Sequence, residues 1–232
     1  MTQYTDIFID LDDTIWNTRV NSKRTMEVVF KDYGFEKYFE SFESFYSVYL
    51  ECNSRLWNDY RHGRIKKQEL IIERFRQPLE PTGMTDEPSL LKLNHDFLER
   101  TTHQKELLPY TVEMLEYLKE KNYHLHILSN GFKEVQYAKM ENSGLMPYFD
   151  KIILSDNVGA NKPSPIIFNE AVKEANSTIQ KSIMLGDSWD ADVTGAHNCG
   201  MDQMWFNRDN EKEREFSPTY TVYSLAEVRN IL

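Results

Sequence analysis

The chain has 232 residues, of which 40% are hydrophobic and 28% are charged, a composition typical of a globular protein with a sizeable buried core. The formal net charge of −10 argues against a general surface for nucleic acid polymers or anionic membranes. The 2 cysteines fit a reducing compartment, and the first residues lack a basic, apolar leader, so we expect a cytoplasmic protein without a membrane span.

The first predicted strand is an apolar run that ends in three carboxylates. Residues 7–9 are Ile-Phe-Ile, and Asp10-Leu11-Asp12-Asp13-Thr14 follows them. Because side chains alternate along a strand, Asp10 and Asp12 project from the same side if the chain stays extended. Carboxylates at such a short distance repel each other, and a divalent cation bound by their oxygens usually offsets this repulsion. A simple acidic turn is the alternative that this stretch leaves open.

Residues from about 19 to 104 show helical periodicity and no strand pattern. Apolar residues recur at spacings of three and four, and glycine or proline follows the runs. The predicted helices are Val20 to Tyr33, a stretch from about Phe42 to Tyr60, Lys67 to Gln77, and Glu87 to Arg100. Four helices with short connections predict a small antiparallel bundle. Asn53 lies within the apolar stripe of the second helix, where a buried amide needs partners.

From Leu107 onward, strand and helix patterns alternate. The predicted strands are His124 to Leu128, Ile152 to Leu154, Ser182 to Leu185, Gln203 to Phe206, and Tyr220 to Tyr223. The predicted helices are Thr111 to Lys121, Lys133 to Asn142, Ser164 to Ala175, Ala191 to Asn198, and Leu225 to Ile231. This alternation predicts an α/β fold with a Rossmann-like, doubly wound parallel sheet. We therefore expect a core domain of residues 1–15 and 105–232, and an inserted α-helical, four-helix-bundle cap of residues 16–104.

Polar clusters stand at the carboxyl ends of the predicted strands. In chain order they are Asp10 with Asp12, Ser129 with Asn130, Lys162 in the loop after the third strand, and Asp187 with Asp192. Each cluster alone is an ordinary turn or helix start, but their joint occurrence favours a functional site. In open α/β sheets ligands bind beyond the carboxyl ends of the strands, so we expect one shared site that the helical insertion covers.

In these motifs the sequence resembles the haloacid dehalogenase-like (HAD) hydrolase superfamily, in its phosphatase branch with a helical C1 cap. The residues similar to the four family motifs are Asp10 through Thr14, Ser129, Lys162, and Gly186 through Asp192. The resemblance covers nearly the whole chain. Leu56 to Tyr60 and Glu69 to Phe75 are similar to the cap of bacterial pyrimidine 5′-nucleotidases of this family.

The resemblance implies an enzyme that hydrolyses small phosphate monoesters through an aspartyl-phosphate intermediate. Asp10 would be the nucleophile, and Asp12 would protonate the leaving oxygen and then take a proton from water. Nearby carboxylates would raise the pKa of Asp12 for the first of these tasks. Lys162, Ser129 and the backbone N–H of Asn130 would hold phosphoryl oxygens.

The cofactor that the resemblance implies is Mg²⁺, which favours oxygen ligands. The ion would lie between Asp10, Asp187 and the backbone carbonyl of Asp12. Asp192 would either join the metal shell or orient Lys162; the sequence leaves both open.

Substrate selection is expected from the cap and from residues beside the first motif. Trp16 would either pack at the hinge or stack on the substrate, and Asn53 would contact a base or sugar or bond within the cap. The preferred substrate is a nucleoside 5′-monophosphate. The alternatives are a phosphoglycolate or sugar-phosphate phosphatase, a phosphomutase, and a non-catalytic binding protein on the same fold. A dehalogenase needs neither a second acid/base carboxylate nor a metal, so Asp12 and Asp187 argue against it.

Overall fold

The computed structural model describes residues 4–212 and 214–232, so the start of the predicted core domain, residues 1–3, lies outside them. The chain divides into two compact units. One unit contains the residues up to Thr18 together with Lys105–Leu232, and the other contains Arg19–Gln104. Within the described ranges, no helix is long and apolar enough to cross a membrane.

The second unit is built from four α-helices, as the sequence predicts. They are Thr18–Asp32 (α1), Phe42–Arg61 (α2), Lys67–Arg76 (α3) and Glu87–Thr102 (α4). Local side chains start two of them: Ser41 forms a capping box at α2, and the Asp86 carboxylate accepts from the first turn of α4. The helices share an apolar core rich in aromatic rings, among them Phe45, Phe75 and Phe97. Burial of this aromatic face is the main source of stability for helices of this length.

The first unit contains a six-stranded parallel sheet. Its strands are Asp6–Ile9 (β1), His124–Ser129 (β2), Lys151–Leu154 (β3), Ser182–Gly186 (β4), Asp202–Phe206 (β5) and Tyr220–Val222 (β6). They lie in the order β3-β2-β1-β4-β5-β6. This order is that of a doubly wound, Rossmann-like sheet, and it confirms the predicted fold class. Ile9 of β1 pairs with Ile127 of β2 on one side and with Leu185 of β4 on the other.

Two apolar layers lie between the sheet and the helices of this unit. The α-helices are Thr111–Glu120 (α5), Lys133–Asn142 (α6), Ser155–Val158 (α7), Pro165–Glu174 (α8) and Thr194–Asn198 (α9). Ile7 and Ile9 of β1 lie in one layer together with Leu115 of α5. Phe8 lies in the other layer together with Phe168 of α8. The alternation along β1 therefore places apolar side chains in both layers, which explains its continuous apolar sequence.

Two helix predictions need correction. The continuous helix predicted from Ala191 to Asn198 is wrong, because a π-helical turn over Trp189–Val193 precedes α9. In this turn the N–H of Val193 donates to the carbonyl of Ser188, five residues back, at 3.2 Å. The last predicted helix is a 3-10 helix over Leu225–Asn230. Apolar periodicity does not distinguish these tighter or wider turns from an α-helix over so few residues.

A buried histidine on β2 pairs with the first residue of β1. His126 is 2% exposed, and its Nε2–H donates to Asp6 Oδ1 at 2.9 Å. Burial lowers the pKa of His126, and the opposing attraction of Asp6 does not cancel this effect. The imidazole is therefore held neutral at a pH at which an exposed histidine takes up a proton.

We expect this histidine to make the protein less stable in mild acid. Below the ordinary histidine pKa of about 6.5, the unfolded chain takes up a proton that the folded imidazole takes up only at lower pH. Measured against His126→Gln, the wild-type unfolding free energy should therefore decline between about pH 7 and about pH 5, as urea unfolding would measure. This comparison removes the opposite contribution of Asp10 and Asp187, whose raised pKa values favour the folded state as the pH falls. His124→Gln, at the 65% exposed histidine of the same strand, should keep the wild-type pH dependence. An identical pH dependence in the wild type and His126→Gln would contradict the assignment.

Candidate active site

The loops that follow β1, β2 and β4 meet at one edge of the sheet because these strands are neighbours. Asp10 follows β1, Ser129 ends β2, and Asp187 follows β4. The backbone N–H of Asp10 donates to the carbonyl of Leu185 at 2.9 Å and so continues the pairing beyond the end of β1. The loop before α8 adds Lys162. The structure thus brings all four predicted clusters to the switch point of the sheet, where ligands of such folds bind.

Lys162 is the cation at the centre of this site. It is 1% exposed, and its Nζ donates to Asp10 Oδ1 and to Asp192 Oδ1, at 2.6 Å each. The third donation goes to the carbonyl of Leu128, also at 2.6 Å. All three ammonium hydrogens are used, so the position of Nζ is fixed. Burial lowers the pKa of Lys162, but the two carboxylates outweigh burial and raise it overall, which keeps the group charged.

The side chain of Asn130 holds the loop that carries Lys162. Its Nδ2 donates to the carbonyl of Lys162 at 2.9 Å, and its Oδ1 accepts from the N–H of Lys162 at 2.7 Å. The sequence predicted only a backbone role for Asn130. The structure shows that its amide also ties the loop after β2 to the loop before α8.

The carboxylates around Lys162 carry more negative charge than one ammonium neutralises. Burial, with repulsion from Asp192 and Asp12, raises the pKa of Asp10 to about 7 against the opposing effect of Lys162. Burial and the neighbouring Asp10 likewise raise the pKa of Asp187 well above its usual range. The hydroxyl of Thr14 lies 3.4 Å from Asp10 Oδ2 and 3.3 Å from Asp187 Oδ1, but it can donate to only one of them at a time.

Asp192 reaches Lys162 because the strand before it ends in glycine. A Cβ on Gly186 would lie 2.3 Å from the carboxylate of Asp192, a distance that atoms do not tolerate. The other oxygen of Asp192, Oδ2, accepts from the N–H of Ser188 at 3.0 Å. Of the two roles left open for Asp192, these contacts support the orientation of Lys162, and they do not exclude a place beside a metal.

Three carboxylates at this site form a group that fits a hard cation. Asp10, Asp187 and Asp192 each offer an oxygen, and these oxygens lie within 4.8 Å of one another. Against them stands the single charge of Lys162, which leaves a formal excess of two negative charges when all three are ionised. Burial, together with repulsion within this group, raises the pKa values of Asp10 and Asp187. Oxygen donors with surplus negative charge match the preference of Mg²⁺.

Asp12 has a different environment from Asp10, although the two are close in sequence. Its Oδ1 accepts from Lys139 Nζ and from the hydroxyl of Thr18, at 2.6 Å each, and its Oδ2 accepts from Gln136 Nε2, also at 2.6 Å. Burial raises the pKa of Asp12, but the charge of Lys139 and these hydrogen bonds outweigh it and hold the pKa below its ordinary value. The expected raised pKa is therefore wrong for this conformation, because Asp12 has its own cation.

Sequence reasoning missed Gln136 and Lys139. Both lie on α6 three residues apart, so they share a face, and Gln136 is completely buried. Met140 extends the same buried face. The sequence signal that could have identified them is two polar residues on the same helix face as the apolar Met140, since buried polar groups require partners.

Two further predicted residues are Trp16 and Asn53. Trp16 is completely buried in the apolar layer that contains Ile15 and Leu11, so in this conformation its ring has no surface for stacking on a substrate. Asn53 lies on α2 in the helical unit and is partly buried. Its Oδ1 is buried without a hydrogen-bond partner among the described residues.

Comparisons with known proteins agree on one family. The family model described as "Haloacid dehalogenase-like hydrolase" matches residues 7–206. The pyrimidine 5′-nucleotidase YjjG of Escherichia coli (strain K12) is 32% identical over 228 residues, which cover 97% of this chain and 96% of the relative. The pyrimidine 5′-nucleotidase PynA of Streptococcus pneumoniae (strain ATCC BAA-255 / R6) is 28% identical over 231 residues, which cover 99% of this chain and 95% of the relative. The crystal structure of the putative HAD-hydrolase YfnB from Bacillus subtilis bound to magnesium matches with a TM-score of 0.88 and 25% identity, covering 99% of this chain and 98% of that one.

Removal of the central cation should destabilise the fold. In Lys162→Met, two buried carboxylates lose their shared partner, so we expect the unfolding free energy to fall by about 3–5 kcal/mol near neutral pH. Urea unfolding monitored by circular dichroism measures the change. The control is Lys173→Met. The Lys173 side chain is 74% exposed in its ion pair with Glu170, so its loss should lower the unfolding free energy by less than about 1 kcal/mol. Equal small changes in both variants would show that Lys162 does not balance buried charge.

Proposed function

The chain belongs to the haloacid dehalogenase-like hydrolases, and we propose that it is a Mg²⁺-dependent phosphatase that acts on nucleoside 5′-monophosphates through an aspartyl-phosphate intermediate. The observation that carries the proposal is the buried Asp10 carboxylate, paired with Lys162 at 2.6 Å and grouped with Asp187. A buried carboxylate with a fixed cation beside it is suited to nucleophilic attack on an anionic ester, because the cation offsets part of the repulsion.

Two carboxylates would divide the reaction. An oxygen of Asp10 attacks phosphorus, the ester P–O bond breaks, and Asp12 donates a proton to the departing alcohol oxygen. Asp12 then takes a proton from the water that attacks the phosphorus of the aspartyl-phosphate. Inorganic phosphate leaves, and Asp10 is restored as a carboxylate. The two-step path lowers the large barrier of uncatalysed phosphate-monoester hydrolysis.

The phosphoryl oxygens would be held by the loops after β2 and before α8. The hydroxyl of Ser129 and the backbone N–H of Asn130 would donate to them, and Lys162 would offset the charge that gathers at Asp10. Mg²⁺, held by Asp10, Asp187 and the backbone carbonyl of Asp12, would neutralise negative charge on the phosphoryl group. The magnesium of the related Bacillus subtilis structure and the surplus negative charge of this carboxylate group both support that cofactor.

The nucleotide preference rests on the relatives and on one residue of the helical unit. Two relatives that span nearly the whole chain are pyrimidine 5′-nucleotidases. The Oδ1 of Asn53, which has no hydrogen-bond partner in the part of the chain that the structure describes, would accept a hydrogen bond from a base or sugar. A phosphoglycolate or sugar-phosphate phosphatase and a phosphomutase are the rival assignments. Nucleotides, sugar phosphates and phosphoglycolate assayed side by side decide between the phosphatases, and an isomerised product in place of free phosphate would identify a mutase.

The covalent and metal steps are tested together. We expect Asp10→Asn to lower phosphate release from p-nitrophenyl phosphate by at least about 10³-fold, because the amide is not nucleophilic. EDTA should abolish the wild-type activity and added Mg²⁺ should restore it. The control is Asp86→Asn at the N-terminus of α4, where asparagine also caps the helix and the wild-type rate should remain. Turnover by Asp10→Asn would refute the covalent step, and turnover in EDTA would refute the metal.

Asn53 is tested by the selectivity of the enzyme. Loss of one hydrogen bond to the nucleoside should raise KM for uridine 5′-monophosphate by about fivefold to tenfold in Asn53→Ala. The KM for p-nitrophenyl phosphate, which lacks the base and sugar, should not change. Asn58→Ala, on an exposed position of the same helix, should change neither value. An equal effect of Asn53→Ala on both substrates would refute its role in specificity.

A further inference from the structure

One face of α6 carries buried polar side chains that match none of the four family motifs. Gln136 is completely buried and Lys139 is 6% exposed. We propose that Gln136 and Lys139 are positioning residues that hold the Asp12 carboxyl and the Ser129 hydroxyl in place for proton transfer to the leaving group. This inference rests on the proposed phosphatase reaction and adds two residues to it.

Both oxygens of Asp12 are held by these residues. Lys139 Nζ donates to Oδ1 and Gln136 Nε2 donates to Oδ2, at 2.6 Å each. The hydroxyl of Thr18 also donates to Oδ1, at 2.6 Å. A carboxylate that accepts three short hydrogen bonds on its two oxygens has one orientation. The direction of its remaining lone pair is therefore set from α6.

These contacts give the two oxygens different tasks. Each carboxylate oxygen has about two lone-pair sites, and Lys139 and Thr18 occupy both sites on Oδ1. Among the described residues, Oδ2 accepts from Gln136 alone. The geometry makes Oδ2 the oxygen that exchanges the proton. Its O–H bond breaks as the ester P–O bond breaks, and the new negative charge of Asp12 remains beside Lys139. In the second step, Oδ2 takes the proton of the attacking water.

Lys139 is itself held in place. Its Nζ lies 4.5 Å from the centroid of the Trp16 ring, at cation–π distance, and the aliphatic part of the side chain is buried with it. A buried ammonium needs an anionic partner, and Asp12 supplies it. Trp16 therefore helps to position Asp12 through Lys139, and this role needs no contact between the buried ring and a substrate.

Gln136 links Asp12 to the predicted phosphate-binding hydroxyl. Its Nε2 also donates to Ser129 Oγ at 2.7 Å, and the N–H of Gly131 donates to the same oxygen at 3.2 Å. With both acceptor sites used, the hydroxyl hydrogen of Ser129 is left to donate to a phosphoryl oxygen. Gly131 makes this approach possible, because a Cβ there would lie 2.2 Å from Gln136 Nε2.

The leaving group provides the test. A positioned proton donor matters most when the departing oxygen is a poor leaving group, so we compare phenyl phosphate with p-nitrophenyl phosphate, two esters of similar shape. In Lys139→Met, kcat/KM for phenyl phosphate should fall by about 10²-fold or more, and for p-nitrophenyl phosphate by about fivefold or less. Because kcat/KM reports the first chemical step, the later hydrolysis of the phospho-enzyme does not affect it. The ratio of the two values is also independent of the fraction of enzyme that is folded.

Two further variants complete the experiment. Lys139→Arg keeps a cationic donor and should restore most of the ratio, whereas Lys133→Met, at an exposed lysine of the same helix, should leave both values at the wild-type level. An equal loss on both esters in Lys139→Met, including complete loss of both, would overturn the positioning role and leave Lys139 as a structural residue. A wild-type protein that hydrolyses neither ester would instead refute the proposed function.

Discussion

The structure of the site depends on the balance of buried charge around one ammonium group. Lys162 Nζ bridges Asp10 and Asp192 at 2.6 Å, and all three side chains are buried. The sheet order places the ends of β1 and β4 side by side, so the carboxylates are brought together whether or not they repel. The ammonium offsets part of that repulsion, and the remaining negative charge is the basis of the proposed Mg²⁺ site.

A second lysine separates the chemistry of two neighbouring acids. Asp10 and Asp12 are two positions apart, yet the pKa of the first is raised to about 7 and that of the second is lowered. Asp10 shares its cation with another carboxylate, whereas Lys139 pairs with Asp12, which also accepts from two neutral donors. The acid/base role proposed for Asp12 therefore requires the dianionic ester to raise the pKa of Asp12, so that Oδ2 takes up a proton while Oδ1 stays beside Lys139, since a proton donor must first hold a proton.

The sequence predicted those parts of the molecule that leave a local pattern. The apolar run of β1 with Asp10 after it, and the recurrence of polar turns such as that at Asp187, follow from the alternation of strands and loops. The partners of Asp12 left no such pattern. Lys139 lies 127 residues away from Asp12 in sequence, and no local rule pairs the two. The same limit applies to Trp16, whose burial depends on packing partners brought together only by the folded sheet.

The close contacts at two glycines limit which substitutions the chain can accept during evolution. Gly131 and Gly186 have no room for a Cβ because Gln136 and Asp192 occupy the space beside them. The nearest obstacles to a Cβ on Gly131 are atoms of Gln136 beyond its own Cβ, which a shorter side chain at position 136 would remove. A Cβ on Gly186 would also lie 2.6 Å from the Cβ of Asp192, an atom that a shorter side chain at position 192 would still carry. Among related sequences, a substitution of Gly131 should therefore appear together with a shorter side chain at position 136, whereas Gly186 should stay glycine when the side chain at position 192 changes.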